Sequence, residues 1–134
     1  MAVIPHTIDI VVADMGKALA FYRTLGLAVP EGADGEEQVQ VATPGGATLG
    51  LLTETLMKGH NPYWVDPVGQ RVTFACRCDN AGEVDTTYAR LTAAGYEGRQ
   101  EPWDSPWGQR YAMVGDPDGN RVDLFASIAP EGEE

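Results

Sequence analysis

Asp14-Met15-Gly16-Lys17-Ala18-Leu19-Ala20-Phe21-Tyr22-Arg23-Thr24-Leu25-Gly26 is the stretch from which the fold is read. An aspartate before an apolar run caps a helix, because its carboxylate accepts an otherwise unpaired N–H of the first turn. Met15, Ala18, Leu19, Tyr22 and Leu25 recur at helical spacing and form one apolar stripe. Gly26 suits the left-handed stop that ends many helices. Upstream, residues 4–12 are β-branched and apolar, interrupted by His6, Thr7 and Asp9. That pattern predicts a strand with one face on a core and one on something more polar. Downstream, residues 31–37 are a Gly- and acid-rich loop. Residues 38–42 and 47–53 read as strands joined by a turn at Thr43-Pro44-Gly45-Gly46. Residues 58–69 read as a long connection, a length that is usually functional or a linker.

The second half replays the first. Residues 71–78 predict a strand, Asp79-Asn80-Ala81-Gly82 a turn and cap, and Val84, Tyr88 and Leu91 a helix face stopped by Gly95. Residues 97–103 predict a strand that Pro102 confines to an edge. Residues 107–115 and 121–127 predict two more, joined by the tight turn Asp116-Pro117-Asp118-Gly119-Asn120. The acidic tail at 131–134 reads as a frayed, solvated end. The order strand, helix, strands thus occurs twice, which predicts an α+β protein of two βαβββ modules within a single domain over 1–134. The modules run over about 1–58 and about 70–128. One helix covers one face of each sheet and leaves the other bare. The expectation is therefore curled mixed sheets around a concave ligand cavity, closed by another sheet or a second chain.

Composition narrows the function. The 134 residues carry 9 Lys and Arg against 20 Asp and Glu, a formal charge of −11. Phosphate backbones and anionic membranes repel such a chain, so neither is an expected partner. No run approaches the roughly 18 apolar residues of a membrane span, and the first residues lack a signal peptide's basic flank. Cys76 and Cys78, the only cysteines, read as reduced core thiols of a cytoplasmic protein.

Asp14-Met15-x-Lys17-Ala18-x-x-Phe21-Tyr22-x-x-Leu25-Gly26-Leu27, followed by Asp116-Pro117-Asp118-Gly119-Asn120-x-x-Asp123-Leu124, closely resembles the vicinal oxygen chelate superfamily, the glyoxalase and bleomycin-resistance group. The resemblance covers nearly the whole chain. Within it, the chain is similar to drug-sequestering members, above all mitomycin-binding resistance proteins. That likeness runs through Ala94 to Gly98 and through Pro102-Trp103-x-x-x-Trp107-Gly108-Gln109-Arg110-Tyr111 to Asn120. It implies a cavity protein acting as a homodimer, with arms exchanged between two copies.

Metal-dependent members carry four inward ligands, usually His and Glu. The resemblance places those positions on Thr7, Gly50, Thr73 and Asp123. His6 is one residue off, which on a strand means the opposite face. One carboxylate with two hydroxyls and a glycine is a poor site for Zn²⁺, Ni²⁺ or Fe²⁺, so no metal or other cofactor is expected.

Lost ligands leave an open, less polar pocket. Gly50 would add room, Thr7 and Asp9 would line one wall, and Asp123, Arg121 and Phe125 share a face by alternation. Trp107 is either a core or interface residue or, as the resemblance implies, one wall of a stacking slot. The opposite wall is a His in mitomycin binders and Gln38 here, which points to a different planar drug. Trp103 reads as edge packing or as a second ring at the mouth. Tyr63 and Trp64, in the long connection, suit a ligand or a partner subunit equally. Tyr111 reads as core. Asp9 and Asp123 read either as carboxylates bonded to hydroxyls or water, or as an acid/base pair. Two functions follow: non-catalytic capture of a planar aromatic antibiotic that confers self-resistance, or a metal-free lyase, isomerase or hydrolase using Asp9 and Asp123.

Overall fold

A computed structural model describes residues 3–69 and 71–128. The acidic tail lies outside these residues. Their elements are β1 (Thr7–Val12), α1 (Met15–Leu25), β2 (Gln38–Ala42), β3 (Thr48–Thr53), α2 (Glu54–His60), β4 (Thr73–Arg77), α3 (Ala81–Ala93), β5 (Glu97–Asp104), β6 (Gln109–Gly115) and β7 (Arg121–Ser127). The chain divides into two compact units, Met1–Val68 and Gly69–Glu134. No helix among the described residues is long and apolar enough to cross a membrane.

In the first unit β1 runs parallel to β3 and β2 antiparallel to it, giving the order β1-β3-β2. Ile10, Val12, Val39, Val41, Leu49 and Leu51 are buried, and the register places all six on one face of this sheet. The buried stripe of α1 is Met15, Ala18, Leu19, Phe21, Tyr22 and Leu25. Asp14 accepts the Lys17 N–H at 2.9 Å, and Gly26 closes the helix at φ 118°. The sequence led us to expect a fourth strand here. Instead α2 follows β3 directly, capped by Thr53, which accepts the Leu56 N–H at 3.1 Å.

The second unit has the order β4-β7-β6-β5, with β4 parallel to β7 and the other pairs antiparallel. Ala112, Val114, Val122, Leu124 and Ala126 share the face that meets Val84 and Leu91 of α3. The α3 entrance is a reciprocal capping box. Asn80 accepts the Glu83 N–H at 2.9 Å, and Glu83 accepts the Asp79 N–H at 3.1 Å. β5 is an edge strand, as Pro102 requires, and it carries two register shifts against β6.

Both sheets are mixed, as expected, but neither curls closed. One has three strands with β1 and β2 at its edges; the other has four with β4 and β5 at its edges. A closed sheet pairs its first strand with its last, and neither sheet here does so. The expected curled sheets around a concave cavity are therefore replaced by two open sheets, and the arm exchange meant to close them falls with them.

Asp116 is a main organiser of the β6–β7 turn. Buried Asp116 accepts the Asp118 N–H at 2.9 Å and the Asn120 N–H at 2.7 Å through Oδ1, and the Asn120 side chain at 2.9 Å through Oδ2. Gly119 supplies the left-handed residue the turn needs, at φ 85°. Asp116→Ala is expected to destabilise the protein by about 2–4 kcal/mol, since bonds to a charged acceptor are the stronger class. The check is chemical denaturation, where the midpoint drops while the slope is kept.

Candidate functional site

Four aromatic rings gather on the face of the second sheet that points away from α3. The register sets Trp103 opposite Tyr111 and Tyr111 opposite Phe125, so three neighbouring strands each contribute one ring. Trp107 joins them from the β5–β6 turn. That turn is Ser105-Pro106-Trp107-Gly108, closed by the Gly108 N–H donating to the Ser105 carbonyl at 3.2 Å, with Gly108 at φ 85°. Buried Ser105 donates its hydroxyl to the Gln109 carbonyl at 2.8 Å and accepts the Gln109 N–H at 3.2 Å. Trp107 was expected to open β6; the turn lifts it out of the strand instead. Proline at the second position and glycine at the fourth were the legible signal for this turn.

The rings meet edge to face. Trp107 lies 5.3 Å from Tyr111 and 5.7 Å from Trp103, and Trp103 lies 5.8 Å from Tyr111. Tyr111 and Phe125 lie nearly parallel at 6.3 Å. Each well-oriented pair contributes about 0.5–1.5 kcal/mol beyond its buried area. The Trp107 indole N–H donates to Gln109 Oε1 at 2.9 Å, which fixes the ring's orientation. Trp107 nevertheless remains 55% exposed.

Beside the rings sits a buried charge. Asp123 is 2% exposed. Arg121 donates to both its oxygens, from Nε at 2.7 Å and from Nη2 at 2.9 Å, and the Tyr111 hydroxyl also donates to it. Tyr111 is thus only half-buried, with its ring in the cluster and its hydroxyl on Asp123, not the core residue expected from sequence. Burial, then the bond to Asp123, pushes the Tyr111 phenol above the ordinary tyrosine range. The bond to Asp123 likewise raises the Arg121 guanidinium.

The second arginine considered as a partner for the carboxylates, Arg110, is engaged elsewhere. It bonds Asp85 of α3 at 2.9 Å and Asp104 at 3.1 Å, on the opposite face. Cys78, just past β4, is a buried free thiol whose pKa burial pushes up to about 11, so it is a poor nucleophile.

The first unit holds the other candidates on its own sheet. Thr7, Asp9, Gly50 and Gln38 share the face opposite the buried Val and Leu residues, and Asp9, Gly50 and Gln40 form one cross-strand row. Gly50 does not open room there. A β-carbon on it would overlap Asp9 Oδ1, so the carboxylate fills the notch. Thr7 pairs through its hydroxyl with His6 Nδ1 at 2.7 Å. Tyr63 and Trp64 follow α2. Tyr63 is 88% exposed, and the Trp64 indole N–H donates to Asp66 at 3.0 Å. The structure thus groups Trp103, Trp107, Arg121 and Asp123 on one face, and Thr7, Asp9, Gly50 and Gln38 on another.

The residues at the four ligand positions do not fit a metal. Thr7 offers a hydroxyl already engaged by His6, Gly50 no side chain, Thr73 a hydroxyl, and Asp123 two oxygens taken by Arg121 and Tyr111. Zn²⁺ and its neighbours favour imidazole, thiolate and free carboxylate. Among the described residues no three His, Cys, Asp or Glu side chains gather as a metal group.

A model of the Glyoxalase/Bleomycin resistance protein/Dioxygenase superfamily matches residues 3–124. Among solved structures, a glyoxalase/bleomycin resistance protein/dioxygenase from Nocardioides is 26% identical, covering 100% of this chain and 88% of its own, at a TM-score of 0.75. A member of the same superfamily from Sphaerobacter thermophilus is 27% identical over 94% and 98% of the two chains, at 0.65. Hypothetical protein SA1046 from S. aureus, 22% identical over 94% of each chain, shares the fold at 0.77. No curated protein matches the chain.

The raised Tyr111 value has a direction that can be read in solution. The folded state holds this proton more tightly than the unfolded chain, so its contribution to stability is present through neutral pH. That contribution is lost only as alkaline pH climbs through the folded value. In an ultraviolet titration, the wild-type curve minus the Tyr111→Phe curve should have its midpoint above that of free tyrosine. A midpoint at the free value means the hydroxyl does not donate to Asp123.

Proposed function

The chain belongs to the glyoxalase/bleomycin resistance protein/dioxygenase superfamily, and from that premise we propose that it captures a planar aromatic antibiotic or natural product without altering it. Quinone, anthraquinone and enediyne skeletons are the class, self-resistance is the outcome, and the cytoplasm is where it acts. The observation that carries this reading is Trp107: an indole pinned by Gln109 and by two neighbouring rings, yet left 55% exposed. Aromatic side chains normally bury most of their area. An ordered, half-bare indole is a ready stacking surface. The sequence likeness to mitomycin-binding proteins around Trp103 and Trp107 supports the same reading.

Capture needs no chemistry. Stacking on one ring contributes about 1–3 kcal/mol, by analogy with base stacking. Burying about 400 Å² of ligand apolar surface adds on the order of 10 kcal/mol gross, and association removes at least about 4. The balance is a dissociation constant from micromolar to nanomolar. Stoichiometric binding then lowers free drug and shields reactive groups on it. A homodimer is part of the proposal. Exposed Tyr63, Val65 and Val68 of the first unit, from 80% to 93% bare, support a second copy that covers them.

The enzymatic alternative requires a free acid or base. Both oxygens of Asp123 are hydrogen-bonded, and Asp9 is an exposed carboxylate with no nucleophile among its row partners. Incubation with a quinone or anthraquinone drug separates the readings. Capture predicts quenched tryptophan fluorescence, drug recovered at its original mass, and no effect of a chelator; a product of altered mass overturns it. Trp107→Ala, folded by circular dichroism, should weaken binding at least about tenfold.

A further inference from the structure

The aromatic cluster is bordered on its own sheet by unused hydrogen-bond donors. A guanidinium carries five N–H groups. Asp123 takes two from Arg121, and Tyr111 accounts for one more at most. Among the described residues at least two remain, on a side chain that is 36% exposed. Arg121 reaches back to Asp123, so its head lies over the row next to Tyr111 and Phe125. That is one pleat repeat from the rings, about 6.6 Å. On the neighbouring strand Arg77 stands opposite Phe125, on the same face and exposed.

The charge balance on this face runs against the rest of the chain. Over β4, β6 and β7 it presents Arg77 and Arg121 against the single carboxylate of Asp123, which is buried beneath its partners. Glu97 and Arg99, at the β5 end, neutralise each other in an ion pair. The molecule as a whole carries −11. A local positive excess beside an apolar stacking surface selects one kind of ligand. A flat cation gains nothing from it, and a flat neutral molecule uses only the rings.

We propose that the captured molecule is a planar aromatic acid, and that Arg121, with Arg77, binds its carboxylate or phenolate oxygen while Trp107 stacks its rings. This rests on the capture reading above and narrows it to an anionic class. Tyr111 and Asp123 act as positioning residues. They hold the guanidinium flat against the sheet with its remaining N–H groups turned outward.

Two probes that differ only in charge test the proposal: anthraquinone-2-carboxylate, ionised at neutral pH, and 2-(hydroxymethyl)anthraquinone. Tryptophan quenching of the full chain should show the carboxylate binding at least about tenfold tighter, the contribution of one charge-assisted hydrogen bond. Added salt should narrow that gap. The double variant Arg121→Gln with Asp123→Asn keeps a neutral hydrogen-bonded pair. It should erase the preference for the carboxylate. Arg77→Gln, at an exposed position, should cut the preference about threefold and serves if the double variant does not fold. Equal affinity of the two probes in the wild type, or a preference untouched by both variants, overturns the acid proposal and leaves capture standing. No quenching by either probe up to its solubility overturns capture itself.

Discussion

A carboxylate inside a β-sheet must be met by donors, because an isolated buried charge is far more costly than a solvated one. Asp123 is met on both oxygens, and much of the second unit follows from this. Its needs fix Arg121 two residues away on the same strand and Tyr111 two residues off its own cross-strand partner, Met113. Tyr111 then presents its ring to Trp103, Trp107 and Phe125. Removing Arg121 alone would strand the charge, a loss of about 3–5 kcal/mol for a fully buried pair and less here, where the guanidinium is partly solvated. The polar triad and the aromatic cluster are therefore one construction. The triad orients the ring on which the other rings lean.

The two units use one plan and finish it differently. Each opens with a strand and an Asp- or Asn-capped helix, and each returns a strand that pairs parallel with the first. In the first unit the face opposite the buried residues is mixed, with Asp9 folded over Gly50 and two glutamines on β2 beside Val11 and Leu52. In the second it becomes aromatic and cationic. At the positions where the resemblance puts metal ligands, one unit has a glycine with no donor and the other an aspartate claimed by an arginine.

What was legible in the sequence was local. The α1 helix was expected over 15–26 and spans Met15–Leu25, because cap, stripe and stop all lie within thirteen residues. β2 and β7 appear at the residues where alternation put them. The α2 helix was missed because it has seven residues and buries none of them, so it leaves no apolar stripe; only the Thr53 cap before Glu54 marked it. Sheet closure was misjudged because it depends on strand number and register between distant segments, which no window of sequence contains. The same limit divides the site. Arg121 and Asp123 were placed on one face by simple alternation, but Tyr111 was assigned to the core because its link to Asp123 exists only through the β6–β7 register.

Trp107 carries the proposed stacking surface, and its turn separates that surface from the packing around it. A buried tryptophan must satisfy its indole N–H as well as hide its rings. Here Gln109, two residues away, accepts that N–H, so the polar demand is met within the turn. What remains is an indole 55% exposed, and an aromatic face discriminates poorly among flat molecules because every aromatic ring has a face to stack. Selectivity must then come from a neighbouring group with directional demands. Arg121 is placed to supply it: its planar fork is fixed by Asp123 on one side and open on the other. A stacking surface without such a group would hold many ligands weakly, and a fork without the stacking surface would compete poorly with water. If the proposed capture holds, their convergence on one face is what lets the second unit tell one flat molecule from another.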